Sequence, residues 1–234
     1  MRTLLLLTGQ WTLLLLALAW AGYVLWLAPL PLAARITAIL LYALGTLLPP
    51  LVRPGRWQGL IVPAILFAAV LAWFFTRVPS NERDWQADVA VLARAEFADD
   101  TVTIHGVRNC DYRTETDYTC RWESRTYTLA DLQTVDLFVI TWGAPGIAHT
   151  IASFGFGEAG YVCFSIETRK EKGEGYSAVK GFFRQYERIY VVADERDVIR
   201  LRTNLRREKV YLYPLKVRPA LARSIFLDYL REVN

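Results

Sequence analysis

Apolar positions run almost unbroken through the first third of the chain, and the pattern changes abruptly after Arg77. No charged side chain occurs between Arg2 and Arg35, between Arg35 and Arg53, or between Arg56 and Arg77. Roughly 20 apolar residues cross the hydrocarbon core as a helix, because lipid offers no partner to an open backbone group. The stretches 3–34 and 57–76 reach that length, and 36–52 falls within the range if its ends lie at the interface. The pattern therefore predicts an anchor over residues 1–78 with spans at about 3–28, 34–52 and 57–76. A cleaved signal peptide is the alternative for the first span, given Arg2, the Leu-rich run and the small Ala17 and Ala19. The run continues through Trp20, Tyr23 and Trp26, past any such cleavage site, which favours a retained helix.

Residues 79–234 show shorter and mixed periods. Residues 84–97 read as helix-like or irregular and amphipathic around Trp85, Val89 and Leu92. The β-rich runs 101–109 and 121–128 form a hairpin turning near Glu115, and 128–135 reads as a short helix leading into a buried strand at 137–141. The loop Trp142-Gly-Ala-Pro-Gly-Ile-Ala-His149 feeds a second hairpin, 149–156 and 161–168, which turns at Gly157–Gly160. A charged loop (169–174), an apolar and aromatic segment (179–186), strands at 189–192 and 211–215, and a helix opened by Pro219 over 219–233 complete the pattern. This is an α+β domain over 79–234, an antiparallel sheet with flanking helices.

Composition agrees with two regions. The hydrophobic content of 53% is concentrated before residue 77, and the remaining stretch of about 155 residues is long enough for its own core. A net charge of +4, with no dense basic stripe, excludes nucleic acid as a partner. Basic residues in 169–172 and 196–208 alternate with acidic ones, the usual sign of a solvated face. His105 and His149 are the two histidines of the chain, so no metal site is expected, and no cofactor either. With the amino terminus in the cytoplasm, Arg2, Arg53 and Arg56 lie inside and Arg35 and Arg77 opposite. Three spans then deliver the domain to the exterior face, the periplasm of a double-membrane bacterium.

Cys110 and Cys120 fall opposite each other if 101–128 is a hairpin, close enough for a cross-strand disulfide that suits an oxidising exterior. Two free thiols in a reducing compartment are the alternative. Cys163 is left over.

The chemistry centres on His149, which follows a Gly/Pro loop at the mouth of a strand. Alternation puts His149, Ile151 and Ser153 on one face of their strand, and Cys163, Ser165 and Glu167 on one face of the next. If 153 opposes 163, then His149 opposes Glu167, and a carboxylate orients an imidazole as a base. A slip of one residue would send the two apart. The same register sets Cys163 four residues from the pair, about 13 Å, so Cys163 is not its nucleophile and reads as a sheet-face or core residue. The charged run after Ser165 is either a solvated loop or a pocket wall. In the second case Trp142, Ser165, Arg169, Lys170 and Tyr176 bind substrate, with Arg169 and Lys170 donating to an anionic or phosphorylated headgroup.

The segments Val135-Asp-Leu-Phe-Val-Ile-Thr-Trp-Gly-Ala-Pro-Gly-Ile-Ala-His-Thr150, Phe164-Ser-Ile-Glu-Thr-Arg-Lys-Glu-Lys-Gly-Glu-Gly-Tyr-Ser177, Lys180-Gly-Phe-Phe-Arg-Gln-Tyr-Glu187 and Tyr190-Val-Val-Ala-Asp-Glu-Arg196 resemble the Lnb N-terminal periplasmic domain family over roughly 84–234. The resemblance implies an inner-membrane-tethered periplasmic domain with a permuted papain-like fold of the lecithin:retinol acyltransferase kind. It also implies lipoprotein acylation by a Cys/His thiol mechanism in one branch of the family. His149 matches the family histidine and Glu167 the following acidic position. Family members continue past the last helix into an Asn-Cys-Thr-Thr segment bearing the nucleophile, whereas this sequence stops at Asn234. The expectation is therefore a chain without its nucleophile, either a truncation or a natural short form.

Two functions follow as expectations. One is the half-site of a thiol acyltransferase or hydrolase, held at the bilayer and acting on lipoproteins or phospholipids. The other is a non-catalytic tethered domain that binds a lipid headgroup or a protein segment. A third reading, an assembly factor whose anchor is the functional part, ranks below both, because the spans hold no Asp, Glu, Lys, Arg or His at their centres.

Overall fold

Arg35 shows how the shortest apolar stretch becomes a full span. In the computed structural model, which describes residues 2–143 and 146–234 with side chains from residue 8 onward, helix α2 runs Leu32–Val52 and takes Arg35 into its first turn. The Arg35 guanidinium donates to the Trp26 carbonyl at 3.1 Å and lies 5.4 Å from the centre of the Trp26 ring. A long basic side chain can reach the interface in this way while its stem stays in apolar surroundings. Helix α1 (Arg2–Trp26) precedes it, and α3 (Ile61–Thr76) follows a short turn at Trp57–Leu60. All three helical segments are long and apolar enough to cross a membrane. The side chain of Arg2, used above for orientation, lies outside the described side chains, as Ala144 and Pro145 of the 142–149 loop lie outside the described residues.

Two compact units divide the chain, 1–80 and 81–234. The second is built on an eight-stranded sheet among the described residues, from β1 (Arg94–Ala98), β2 (Thr101–Tyr112), β3 (Tyr118–Thr128), β4 (Thr134–Thr141), β5 (His149–Gly155), β6 (Tyr161–Arg169), β7 (Glu187–Ala193) and β8 (Lys209–Pro214). The strand order is β1-β2-β7-β6-β5-β4-β8, with β3 paired to β2. Every ladder is antiparallel except the short β2–β7 contact, where Arg108 pairs with Ala193. The domain is thus α+β, as the periods predict.

Alternation along the central strands sorts side chains onto two faces. Ala152, Phe154, Val162, Phe164 and Val192 form one face, covered by α6 (Pro219–Val233) through Ala222, Phe226 and Leu230, spaced four apart. The Phe226 ring sits 5.1 Å from Phe154 and 5.0 Å from Phe156. Pro219 starts α6 where its fixed φ and missing N–H cost nothing. At the other end, the Asn234 amide pairs with both backbone groups of Ala95, accepting at 2.8 Å and donating at 3.0 Å. Ile151, Cys163, Val191 and Ala193 form the opposite face, under Trp85, Val89 and Val198. Val198 belongs to α5 (Glu195–Arg200), capped by the Asp194 side chain and continued by one wider turn, Leu201–Leu205.

Three expectations change in whole or in part. Of the two readings for residues 84–97, the irregular one holds up to the strand Arg94–Ala98, which was not expected: Trp85 bridges to Glu171 and a single turn covers Ala87–Val89. The helix expected over 128–135 is one turn, Leu129–Asp131, before β4 begins. The 196–208 segment is not wholly solvated, because Asp197 and Arg202 are buried. Their partners lie on strands far away in sequence, which a charge pattern cannot reveal.

Candidate functional site

β5 begins at His149 and β6 runs antiparallel to it, with Ser153 opposite Cys163 and Ile151 opposite Ser165. That is the register expected from alternation, and it brings the His149 and Glu167 side chains together at 3.2 Å between Nε2 and Oε1. Ser165, fully buried between them, makes a second link: its Oγ lies 2.8 Å from His149 Nε2 and donates to Glu167 Oε1 at 2.8 Å. A serine hydroxyl has one proton. Because Ser165 gives it to Glu167, its oxygen accepts from His149, so Nε2 carries the imidazole proton. The Nδ1 lone pair is then left open, with no hydrogen-bond partner among the described residues.

Arg202 completes the network from the turn after α5. Its Nη2 donates to Glu167 Oε1 at 3.0 Å and its Nη1 to Glu208 at 3.2 Å. Burial by itself pushes the Glu167 carboxyl up. The His149 hydrogen bond, the Arg202 cation and the Ser165 hydroxyl outweigh it and hold the group well below the usual carboxylate range. Glu167 is therefore a fixed negative charge behind the imidazole.

His149 and Glu167 line a cleft of about 600 Å³ together with Trp142, Lys170, Tyr176 and Arg202. Its wall also includes Asp88 and Arg108, and Arg108 ties the hairpin to α5. Arg108 makes a bidentate contact with the buried Asp197 at 3.0 and 2.8 Å and donates to the Asp88 carbonyl at 2.9 Å. Asp197 also accepts the Cys110 amide at 2.7 Å. Cys110 and Cys120 face each other across β2–β3 and are disulfide-bonded.

The predicted binding residues separate. Trp142, Lys170 and Tyr176 reach the cleft. Ser165 lies behind it, as the link between His149 and Glu167. Arg169, expected to offer donors to an anionic group, is buried and occupied: it donates to Val89, Ala90 and Asn81 at 2.9, 2.9 and 3.0 Å, with its guanidinium 4.3 Å from the centre of the Trp85 ring. Cys163 is fully buried beside Ser153, and desolvation pushes its thiol well above the ordinary range. It has neither the access nor the ionisation of a nucleophile. No cluster of metal-ligating side chains occurs among the described residues.

Arg202 and Glu208 escaped the sequence reading. The spacing Val198, Leu201, Arg202, Leu205 is that of one helix face, and it could have marked Arg202 as inward-facing despite its charge.

A family model described as the Lnb N-terminal periplasmic domain matches residues 118–234, half of the chain, from β3 to the end of α6. The match takes in His149, Ser165, Glu167, Arg202 and Glu208. No curated protein and no solved structure matches the chain. A periplasmic-domain match together with three span-length apolar helices marks a membrane-anchored protein. The chain belongs to the Lnb N-terminal periplasmic domain family.

Proposed function

We propose that the cleft is the general-base side of an acyl-transfer or acyl-hydrolysis site, held at the outer face of the bacterial inner membrane and acting on lipoproteins or other acylated envelope substrates. The observation that carries this reading is the placement of His149 Nε2, 2.8 Å from Ser165 Oγ and 3.2 Å from Glu167 Oε1, with no hydrogen-bond partner at Nδ1 among the described residues; in the neutral ring these contacts put the proton on Nε2. Such an imidazole accepts a proton at Nδ1, and the ionised Glu167 stabilises the imidazolium that forms. The thiol comes from outside residues 1–234, since Cys163 is buried and Cys110 and Cys120 are bonded to each other. Its proton passes to His149 Nδ1, the thiolate adds to the acyl carbonyl, and the leaving group takes the proton back from the imidazolium. A thioester results, which an amine or water then resolves. The permuted papain-like arrangement implied by the family suits this division of labour. Tethering by α1–α3 raises the effective concentration of lipid-linked substrate.

The test is the amino-terminal acylation state of lipoproteins, read by mass spectrometry, in cells relying on the gene with His149→Ala. Loss of the acyl group carried by the wild type is expected. Unchanged acylation would refute the reading and leave the second one, a tethered binding domain. That alternative draws on Trp142, Lys170 and Tyr176, which line the cleft without any exposed thiol among the described residues.

A further inference from the structure

The mouth of the cleft carries exposed aromatic and apolar side chains. Trp142 is 51% exposed and Tyr176 67%, and both line the cleft. Just beyond Tyr176, the short helix α4 (Ala178–Phe182) leaves Val179 55% and Phe182 72% exposed. These two stand three residues apart, on one face of the turn. The rim is held firmly. Tyr186 Oη accepts the Ser177 amide at 2.9 Å and donates to the Gly175 carbonyl at 2.8 Å, and its ring stacks on Tyr176 at 6.1 Å. Exposed apolar side chains gathered beside a cleft mark an interaction surface.

The chain itself indicates what covers them. The domain's first residues are pinned along the segment that leads into the rim. The Asn81 side chain accepts from Arg169 at 3.0 Å, Lys172 N–H donates to the Asp84 carbonyl at 2.8 Å, and Gln86 N–H donates to the Lys170 carbonyl at 3.0 Å. Arg83 adds ion pairs to Glu171 at 3.1 Å and Glu187 at 2.7 Å. Asn81 is joined to the end of α3 at Thr76 by residues 77–80 alone. Extended chain spans at most ~3.6 Å per residue, so this tether reaches no more than about 18 Å. The segment by which the domain leaves this tether therefore runs beside the rim. The composition of the rim suits the bilayer interface: Trp and Tyr favour the headgroup level, and Lys170 at the cleft wall has a long apolar stem with a charged end.

From this we infer that Trp142, Tyr176, Val179 and Phe182 dock into the bilayer interface, so that the cleft opens at the lipid surface and takes its ligand from the membrane. The inference goes beyond the chemistry proposed for His149 and stands whether or not that residue acts as a base.

The test uses the full chain in vesicles of phosphatidylethanolamine and phosphatidylglycerol. Phe182→Cys, and separately Val179→Cys, are labelled with an environment-sensitive maleimide dye. The native cysteines do not compete, being disulfide-bonded or buried. Leu221→Cys is the reference, an exposed position on the helix that covers the opposite face of the sheet. Labels at 179 and 182 should show blue-shifted emission and strong quenching by spin-labelled lipids, consistent with insertion by ~5–10 Å, while the label at 221 keeps its aqueous emission. If both rim labels emit as in water and are quenched no more than the label at 221, the inference is overturned and the rim is left to a protein partner.

Discussion

Glu167 works by staying ionised. It accepts from Ser165 and Arg202 through one oxygen, with His149 within 3.2 Å of the same atom. Its carboxyl is depressed below the unfolded value of about 4.3. Folding therefore favours the ionised form, and the stabilisation is complete above that pH and fades as pH falls toward the folded value. The stability advantage of the wild type over Glu167→Gln should shrink as pH is lowered from about 6 to about 3, as read by thermal unfolding at each pH. An advantage constant across that interval contradicts the ion-network assignment. This pair was legible in the sequence because strand alternation and a four-residue turn fix the register locally. Arg169 was not, because the Trp85 ring and the carbonyls of Val89 and Ala90 that enclose it lie about eighty residues earlier.

The same contrast holds among the elements. Both hairpins could be read, since their strands are neighbours in sequence and the Cys110–Cys120 pairing follows from the turn. The α5 region could not, because what buries it is an ion pair with a strand 89 residues away. Arg108 and Asp197 join the hairpin to the helix that positions Arg202. Truncating one partner leaves the other charge buried, at a cost of about 3–5 kcal/mol. Arg108→Leu should lower stability by that amount, measured by urea unfolding. A loss within ~0.5 kcal/mol, the level of an ordinary surface substitution, would mean that this pair does not secure the cleft wall. Strand β1 was missed for a similar reason. It is short, and its capping partner Asn234 is 139 residues away.

Taken whole, the molecule sets an α+β domain a few residues beyond a three-helix anchor, and the two regions were separable from composition because lipid and water select different side chains. Substrate identity was not separable in this way, since it depends on side chains that converge only after the sheet has formed. The chemistry proposed for the cleft rests on the His149 ring, whose Nε2 faces Ser165 and Glu167. Nitrogen-15 NMR of the isotope-labelled full chain in lipid nanodiscs at neutral pH reads that ring, and His105→Gln isolates its signals from the other histidine. The network described above requires a protonated Nε2 and a bare Nδ1. A proton on Nδ1 with a bare Nε2 would mean that Ser165 donates to the ring and that the cleft holds no base.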